Sequence, residues 1–445
     1  MDSSNTNKLK EEDSTYPVWH PYTQMKTAGP PLEILRGEGA WLMAKDGRRI
    51  LDLISSWWVN LHGHAHPDIA SRIADQAAKL EQVIFAGFTH SPAIELARAL
   101  CEILPGKPEK IFYSENGSTA VEVGLKMAFQ YWYNIGKPRK KILAFRSAYH
   151  GDTFGAMSVS SRSVFTQPFF QQLFEVVFLP DPTEEQLELS INLIDEAGED
   201  IAAFIYEPLV MGAAGMIAYS PAYLSALMQR VQSHQGLLIA DEVMTGFGRL
   251  GTMFASEQMP IHPDMICLSK GLTGGFLPMG VTSARKRVYE AFHQDDRMKT
   301  FFHGHSYTAN PLACTAALAS LDCFKKENTL SRILQIELRH QAFVASLKAY
   351  DCVVSKRVKG SLLAITLTDG ITREAQYLSD LGPVAYKWFM SRGLLLRPLG
   401  NVIYLLPPYC IKSSELDIAY EHIQEFLEIL EKGDLEIFSV DPVFG

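Results

Sequence analysis

Between Lys110 and Leu268 the chain repeats one pattern, and that pattern limits its fold more than any other feature. Short apolar runs at Lys110–Tyr113, Lys141–Phe145, Ile201–Tyr206, Gly236–Ala240 and Met265–Leu268 alternate with stretches of helical periodicity such as Thr119–Tyr133. Strands separated by helices pair through crossovers rather than hairpins, which predicts an α/β fold with a mainly parallel sheet and helices on both faces. In such sheets ligands gather outside the carboxyl ends of the strands. Here each run ends in polar residues: Ser114-Glu-Asn-Gly-Ser118, Ser147-Ala-Tyr149-His150-Gly151-Asp152, Glu207-Pro208, Asp241-Glu242 and Ser269-Lys270-Gly271.

The flanks read differently. Residues 1–15 are polar and predict a flexible tail. Tyr16–Tyr22 carries too many prolines and aromatics for a helix and is expected to wrap over another surface. Leu32–Leu35 and Ala40–Met43, joined by Arg36–Gly39, and Ile50–Ile54 after the Asp46-Gly47 turn predict a small antiparallel unit. Trp57 and Trp58 are either a core residue with its lid or one wall of a pocket. Beyond Asn310-Pro311, helices are expected at 312–325, 330–349 and 414–430, and strands at 362–367, 394–396 and 402–405. The organisation expected is an N-terminal part of a small domain at 16–65, a large domain at 66–311, and a C-terminal part of the same small domain at 312–445.

Composition narrows the partners. The net charge is -9 with no basic block, so nucleic acid is not expected. The 6 cysteines form no CxxC pair and no zinc-type spacing, which predicts a reducing compartment and no metal. No uncharged apolar run of about eighteen residues predicts a membrane span, and a cytoplasmic protein is expected.

The strand ends suit an aromatic aldehyde that carries a phosphate. Lys270, at the end of an apolar run and before Gly271, Gly274 and Gly275, is a candidate Schiff-base nucleophile or an ordinary surface lysine. Asp241 could hold a proton on a ring nitrogen, or cap a helix or pair with Arg249. Gly117, Ser118 and Thr119 open a helix and could bind a phosphate or form a plain N-cap. Tyr149 could lie on a ring face or pack in the core. His303 and His305 have no carboxylate cluster beside them that would support a metal. Arg397 needs an anion, either a substrate carboxylate or a structural partner.

In their order and spacing, Gly117-Ser118, Tyr149-His-Gly-Asp152, Glu207-Pro208, Asp241-Glu-Val-Met-Thr-Gly-Phe-Gly-Arg249, Ser269-Lys270-Gly271 and His303-Gly304 resemble the pyridoxal-phosphate aminotransferases of fold type I, subgroup III. The resemblance covers nearly the whole chain after Tyr16. It implies pyridoxal 5'-phosphate as cofactor, Lys270 as the covalent lysine and proton shuttle, Asp241 at the ring nitrogen, Gly117 and Ser118 at the phosphate, and Tyr149 against the ring.

A narrower resemblance, to the biotin-pathway branch of that family, is carried by Trp19-His-Pro-Tyr22-Thr-Gln-Met25, Ser55-Ser-Trp57-Trp58, His62-Gly63 and Arg397-Pro-Leu-Gly-Asn-Val-Ile-Tyr-Leu-Leu-Pro-Pro-Tyr409. It implies 8-amino-7-oxononanoate as acceptor and S-adenosylmethionine as donor, with lysine as the alternative donor. Tyr22, Trp57 and Trp58 would shape the substrate site, Gly304 would touch substrate, and Arg397 would take a carboxylate. His305 and Ser306 would reach the phosphate of a neighbouring subunit, which implies a homodimer. Relatives commonly show Pro-Thr at these two positions; Ser306 keeps the hydroxyl and His305 adds a donor. An ω-aminotransferase acting on ornithine or 4-aminobutyrate, and a cofactor-binding regulatory protein without turnover, are the other readings.

Overall fold

The computed structural model describes residues 16–368, 375 and 379–433. Three strands come first: β1 (Ile34–Glu38), β2 (Trp41–Ala44) and β3 (Arg49–Asp52). The central sheet follows: β4 (Lys110–Ser114), β5 (Lys141–Phe145), β6 (Val176–Leu179), β7 (Ile201–Tyr206), β10 (Leu237–Asp241), β11 (Met265–Leu268) and β12 (Gly280–Ala284), with the short ribbon β8 (Val210–Met211) and β9 (Ile217–Ala218) outside it. The order across the sheet is β4-β12-β11-β10-β7-β5-β6. Only β12 runs against the others, pairing antiparallel with both β4 and β11. The carboxyl ends of β4, β5, β7, β10 and β11 therefore face one edge.

These strands are apolar along their length because both faces are covered. β7, β10 and β11 are buried at every residue. The helix Gly117–Asn134 covers one face through Ala120, Val123 and Met127, and Leu224, Leu227 and Val231 of the helix Pro221–Ser233 join the core cluster that includes Leu238. β6 and β12 were not expected from the sequence. Val176-Val-Phe-Leu179 is a short apolar run that periodicity cannot assign, and Gly280-Val-Thr-Ser-Ala284 is composed largely of small residues.

The flanking segments meet through hydrogen bonds. β13 (Val353–Lys359), β14 (Leu362–Leu367), β15 (Leu394–Leu395) and β16 (Val402–Leu405) complete the strands. β15 pairs in parallel with β3, adding a C-terminal strand to the N-terminal sheet β1-β2-β3. Leu406 N–H donates to Leu53 O at 2.8 Å and Tyr409 N–H to Leu61 O at 2.7 Å. β13-β14-β16 forms a separate antiparallel sheet against the helix Thr329–Ser346, on which the helix Ser413–Glu431 packs in turn. β13 and the helix Leu381–Ser391 were also not expected. β1 runs through Arg36 to Glu38, so the turn falls at Gly39-Ala40 rather than at Arg36–Gly39. Tyr16–Tyr22 is not helical, but Trp19 remains 86% exposed, so that segment does not bury its aromatics on its own chain. Among the described residues no helix is long and apolar enough to cross a membrane.

Candidate active site

Asp241 closes β10 opposite Cys267 of β11, and this register brings it to the edge from which Lys270 emerges. The carboxylate is 4% exposed. Its Oδ2 lies 2.7 Å from His150 Nδ1, and its Oδ1 accepts from Val243 N–H at 3.0 Å. Arg249 does not pair with it. That buried guanidinium donates instead to the carbonyls of Pro407 (3.1 Å), Trp58 (3.1 Å) and Asn60 (3.4 Å), and burial without a carboxylate lowers its pKa.

The helix Gly117–Asn134 opens with a capping box. Thr119 N–H donates to Asn116 Oδ1 at 3.0 Å, and Asn116 N–H to Thr119 Oγ1 at 3.1 Å. The Thr119 hydroxyl therefore serves the cap, the plainer of the two roles open to it from the sequence. The cap leaves the Gly117 and Ser118 amides as the open donors of the first turn, at the positive end of the helix dipole. The backbone here is tightly enclosed. A Cβ on Gly117 would lie 2.8 Å from Val243 Cγ1, and one on Gly151, whose φ is +130°, would lie 2.2 Å from Ser118 Oγ. A nest of free amides, a buried carboxylate and a buried amine fits the phosphate, ring nitrogen and aldehyde of pyridoxal phosphate.

Lys270 begins a short 3-10 turn directly after β11, with φ 42°, a left-handed conformation that is costly for lysine. Its Nζ lies 4.6 Å above the Trp58 ring. Desolvation lowers its pKa to about 8, opposed by the Asp241 and Glu207 carboxylates and assisted by Arg249. Such an amine is partly neutral near physiological pH and can act as nucleophile and base. Glu207, at the end of β7, is pushed up to about 7 by burial. It accepts from Tyr149 N–H at 3.1 Å and from Gly212 N–H at 2.9 Å, and so fixes the tyrosine backbone over the sheet edge.

The adjacent tryptophans divide because the backbone between them is left-handed. Ser55, Ser56, Trp57 and Trp58 have φ of 51°, 46°, 73° and 71°. Asp52 holds the turn: Oδ1 accepts from Ile54 N–H (3.2 Å) and Ser56 N–H (3.0 Å), and Oδ2 from Ser56 Oγ (2.8 Å). Trp58 is buried, with Nε1 donating to Tyr404 Oη at 3.0 Å, whereas Trp57 is 38% exposed. The Trp57 ring meets Tyr22 edge-on at 5.6 Å and carries the Arg397 guanidinium at 5.0 Å. Tyr22 Oη donates to Asp152 Oδ2 at 2.5 Å, and Asp152 N–H donates to Ser118 Oγ at 3.2 Å. A continuous chain of contacts thus runs from Ser118 through Asp152, Tyr22 and Trp57 to Arg397. Tyr149 joins it, since burial first, then Asp152 and Tyr22, drive its hydroxyl pKa up. Arg397 is half-buried and makes no ion pair among the described residues.

Gly304, His305 and Ser306 lie apart from this chain of contacts. Gly304 and Ser306 are exposed, and Ser306 O accepts from Gln82 Nε2 at 2.8 Å. His305 Nε2 lies 2.6 Å from Glu115 Oε2, a charge contact without hydrogen-bond alignment. His303 Nδ1 is 2.9 Å from Lys126 Nζ, an arrangement unlike that of a metal ligand. Sequence reasoning gave no role to His150, Asp152, Glu207 or Tyr404. His150 and Asp152 follow the same predicted strand as Tyr149 and Glu207 ends the one at Ile201–Tyr206, and their signals were that position and a place in the motifs that carry the family resemblance.

Comparison with known proteins adds three findings. The family model described as aminotransferase class-III matches residues 22–427. The chain is 50% identical over 421 residues to the adenosylmethionine-8-amino-7-oxononanoate aminotransferase of Synechococcus elongatus, covering 92% of this chain and 98% of that one. It resembles the crystal structure of the like-named enzyme from Methanocaldococcus jannaschii with a TM-score of 0.88 at 38% identity, covering 94% of this chain and 99% of that one. A pyridoxal-phosphate-bound amine transaminase from an uncultivated Pseudomonas species matches with a TM-score of 0.85 at 31% identity, covering 95% and 99%.

Proposed function

Because the chain belongs to the class-III aminotransferases, we propose that it moves an amino group from S-adenosylmethionine to 8-amino-7-oxononanoate, giving 7,8-diaminononanoate for biotin synthesis. The names of the relatives support the substrates. The observation that carries the reading in this chain is Arg397: a half-buried cation that makes no ion pair among the described residues and lies on the ring of Trp57, next in sequence to the Trp58 that faces Lys270. Both substrates carry a carboxylate, and a planar guanidinium can hold each in turn, as a ping-pong cycle requires.

Pyridoxal phosphate, when bound, supplies the electron sink and carries the amino group between the two half-reactions. The protein does the rest. The Gly117 and Ser118 amides and the Ser118 hydroxyl hold the phosphate. Asp241, braced by His150, keeps a proton on the ring nitrogen. Tyr149 would lie on the ring. Lys270 would hold the cofactor covalently when no substrate is present, and its Nζ, once free, would serve as the base that moves the proton of the substrate carbon. Tyr22, Trp57 and Trp58 cover the methylene chain of the acceptor and exclude water. Gly304 touches substrate, and the chain works as a large unit at 66–311 flanked by a discontinuous one at 16–65 and 312–445.

The working form is a homodimer in which His305 and Ser306 of one copy approach the phosphate of the other. Its support is the large apolar surface that one copy leaves uncovered: Phe302 (70%), Tyr307 (67%), Ile84 and Phe88 are exposed on segments joined by the Gln82–Ser306 bond. All six cysteines are free, as suits the cytoplasm. The deciding test is a half-reaction screen with purified protein. S-Adenosylmethionine should discharge the visible cofactor band and 8-amino-7-oxononanoate should restore it. Turnover with ornithine or 4-aminobutyrate and none with 8-amino-7-oxononanoate would replace the substrate assignment.

A further inference from the structure

We infer that His66, Cys323 and Glu327 form a binding site for a zinc-like divalent cation, separate from the transamination chemistry. One ligand atom from each lies within 4.8 Å of the others. His66 Nε2 is 2.7 Å from Glu327 Oε1, and Cys323 Sγ is 4.0 Å from both ring nitrogens of His66. His66 is distant in sequence from Cys323 and Glu327, so no zinc-type spacing reveals the three.

The local structure favours a cation. Cys323 lies in the last turn of the helix Pro311–Lys326 and Glu327 is its C-cap, four residues on and on the same side. The negative end of the helix dipole points at this spot. His66 precedes the helix Pro67–Ala77 without using its ring as a cap. Cys323 is 2% exposed. Arg332 Nη1 donates to Glu327 Oε2 at 2.6 Å, which orients the carboxylate and leaves Oε1 toward His66. Beside them stands a second, buried histidine: the ring of His62 is 6.1 Å from that of His66, with Nε2 on Ser320 Oγ and Nδ1 unpartnered. One imidazole, one thiolate and one carboxylate suit zinc or cobalt rather than magnesium or calcium, with water as a fourth ligand.

Tetrahedral zinc would place nitrogen and oxygen about 3.3 Å apart and nitrogen and sulfur about 3.6 Å apart, from ordinary bond lengths. The first distance opens and the second closes by less than an ångström from those observed. The site sits where the chain enters the region of the central sheet at His66 and where it leaves by the left-handed Asn328. It also backs onto the Lys270 turn, because a Cβ on Gly271 would lie 2.9 Å from Leu61 Cδ1 and one on Gly274 3.3 Å from His62 Cδ2. A bound cation would tie both chain crossings together and stiffen that turn from behind.

The test is titration of the chelator-treated holoenzyme with cobalt(II) and then zinc(II), read by absorption and calorimetry. One equivalent of cobalt per chain should give four-coordinate d–d bands and a sulfur-to-cobalt charge-transfer band, both displaced by zinc, and zinc should raise Tm. His66→Gln and Glu327→Gln should each weaken binding by about tenfold or more, and Cys323→Ser should remove the charge-transfer band while the cofactor band stays. Glu327→Gln carries the test where Cys323→Ser does not fold, since Glu327 is part-exposed at a helix end. Absence of saturable binding, binding that survives these substitutions, or binding lost in His305→Asn would overturn the assignment.

Discussion

The residues that would hold the cofactor and those that would recognise the substrate touch one another but are anchored differently. Asp241, Glu207, His150 and Lys270 each leave the end of a buried strand, or stand a few residues beyond one, in a single sheet. Tyr22, Trp57 and Arg397 come from loops near the N-terminal sheet and its C-terminal guest strand, and Trp57 and Tyr22 stay partly in solvent. The difference teaches that position along the sheet edge gathers the residues proposed to hold the cofactor, whereas those proposed to read the substrate form a surface assembled from opposite ends of the chain.

The strongest way to break this comparison is Lys270→Ala. It should abolish the visible band of lysine-bound cofactor and cut turnover by at least about 10³-fold, and activity retained after dialysis against fresh cofactor would remove Lys270 from the centre. The apoprotein should also take up pyridoxal phosphate faster as pH rises through about 8, where the amine loses its proton.

Glu207→Gln tests the cradle by stability. The folded carboxyl keeps its proton to about 7, well above the unfolded group at 4.5, so the native state binds more protons between those values. Its contribution is complete below pH 4.5 and is lost as pH rises toward 7, by about 3 kcal/mol in all. Denaturant titrations from pH 4.5 to 8 should show this slope in the parent and a flatter one in the variant.

Arg397→Ala should act on the rim alone. KM for the carboxylate substrates should rise about thirtyfold, equivalent to roughly 2 kcal/mol, with the cofactor band unchanged. Trp57→Ala is milder. Losing one edge-on aromatic contact and one cation–π contact should raise KM about three- to tenfold. Equal loss of cofactor in either variant would show that the two regions are one.

The cradle was legible because its signals are local: an apolar run, then a polar residue, repeated for Asp241 and Lys270. The same logic covered most of the sheet and failed at Gly280–Ala284, where small residues carry no period, and at Val176–Leu179, too short to distinguish from a buried helical turn. The rim was not legible from local pattern. Nothing near Arg397 in the sequence points to Trp57, and the two approached each other first through resemblance and then through the pairing of β15 with β3. Thr119 stayed open for a related reason: a hydroxyl at a helix start suits a cap and a phosphate equally, and Asn116 decides for the cap.

The left-handed turn at Ser55–Trp58 has a consequence for how such a protein can change. Two neighbouring indoles face separate tasks, one beside the Lys270 amine and the other beside the Arg397 cation. A lineage could therefore revise the side chain at position 57 to suit a new acceptor while leaving the environment of the reactive amine as it was. Loss of a single residue within the turn would instead shift both indoles from their places, so length in this loop should be held far more strictly than the identity of its outer residue.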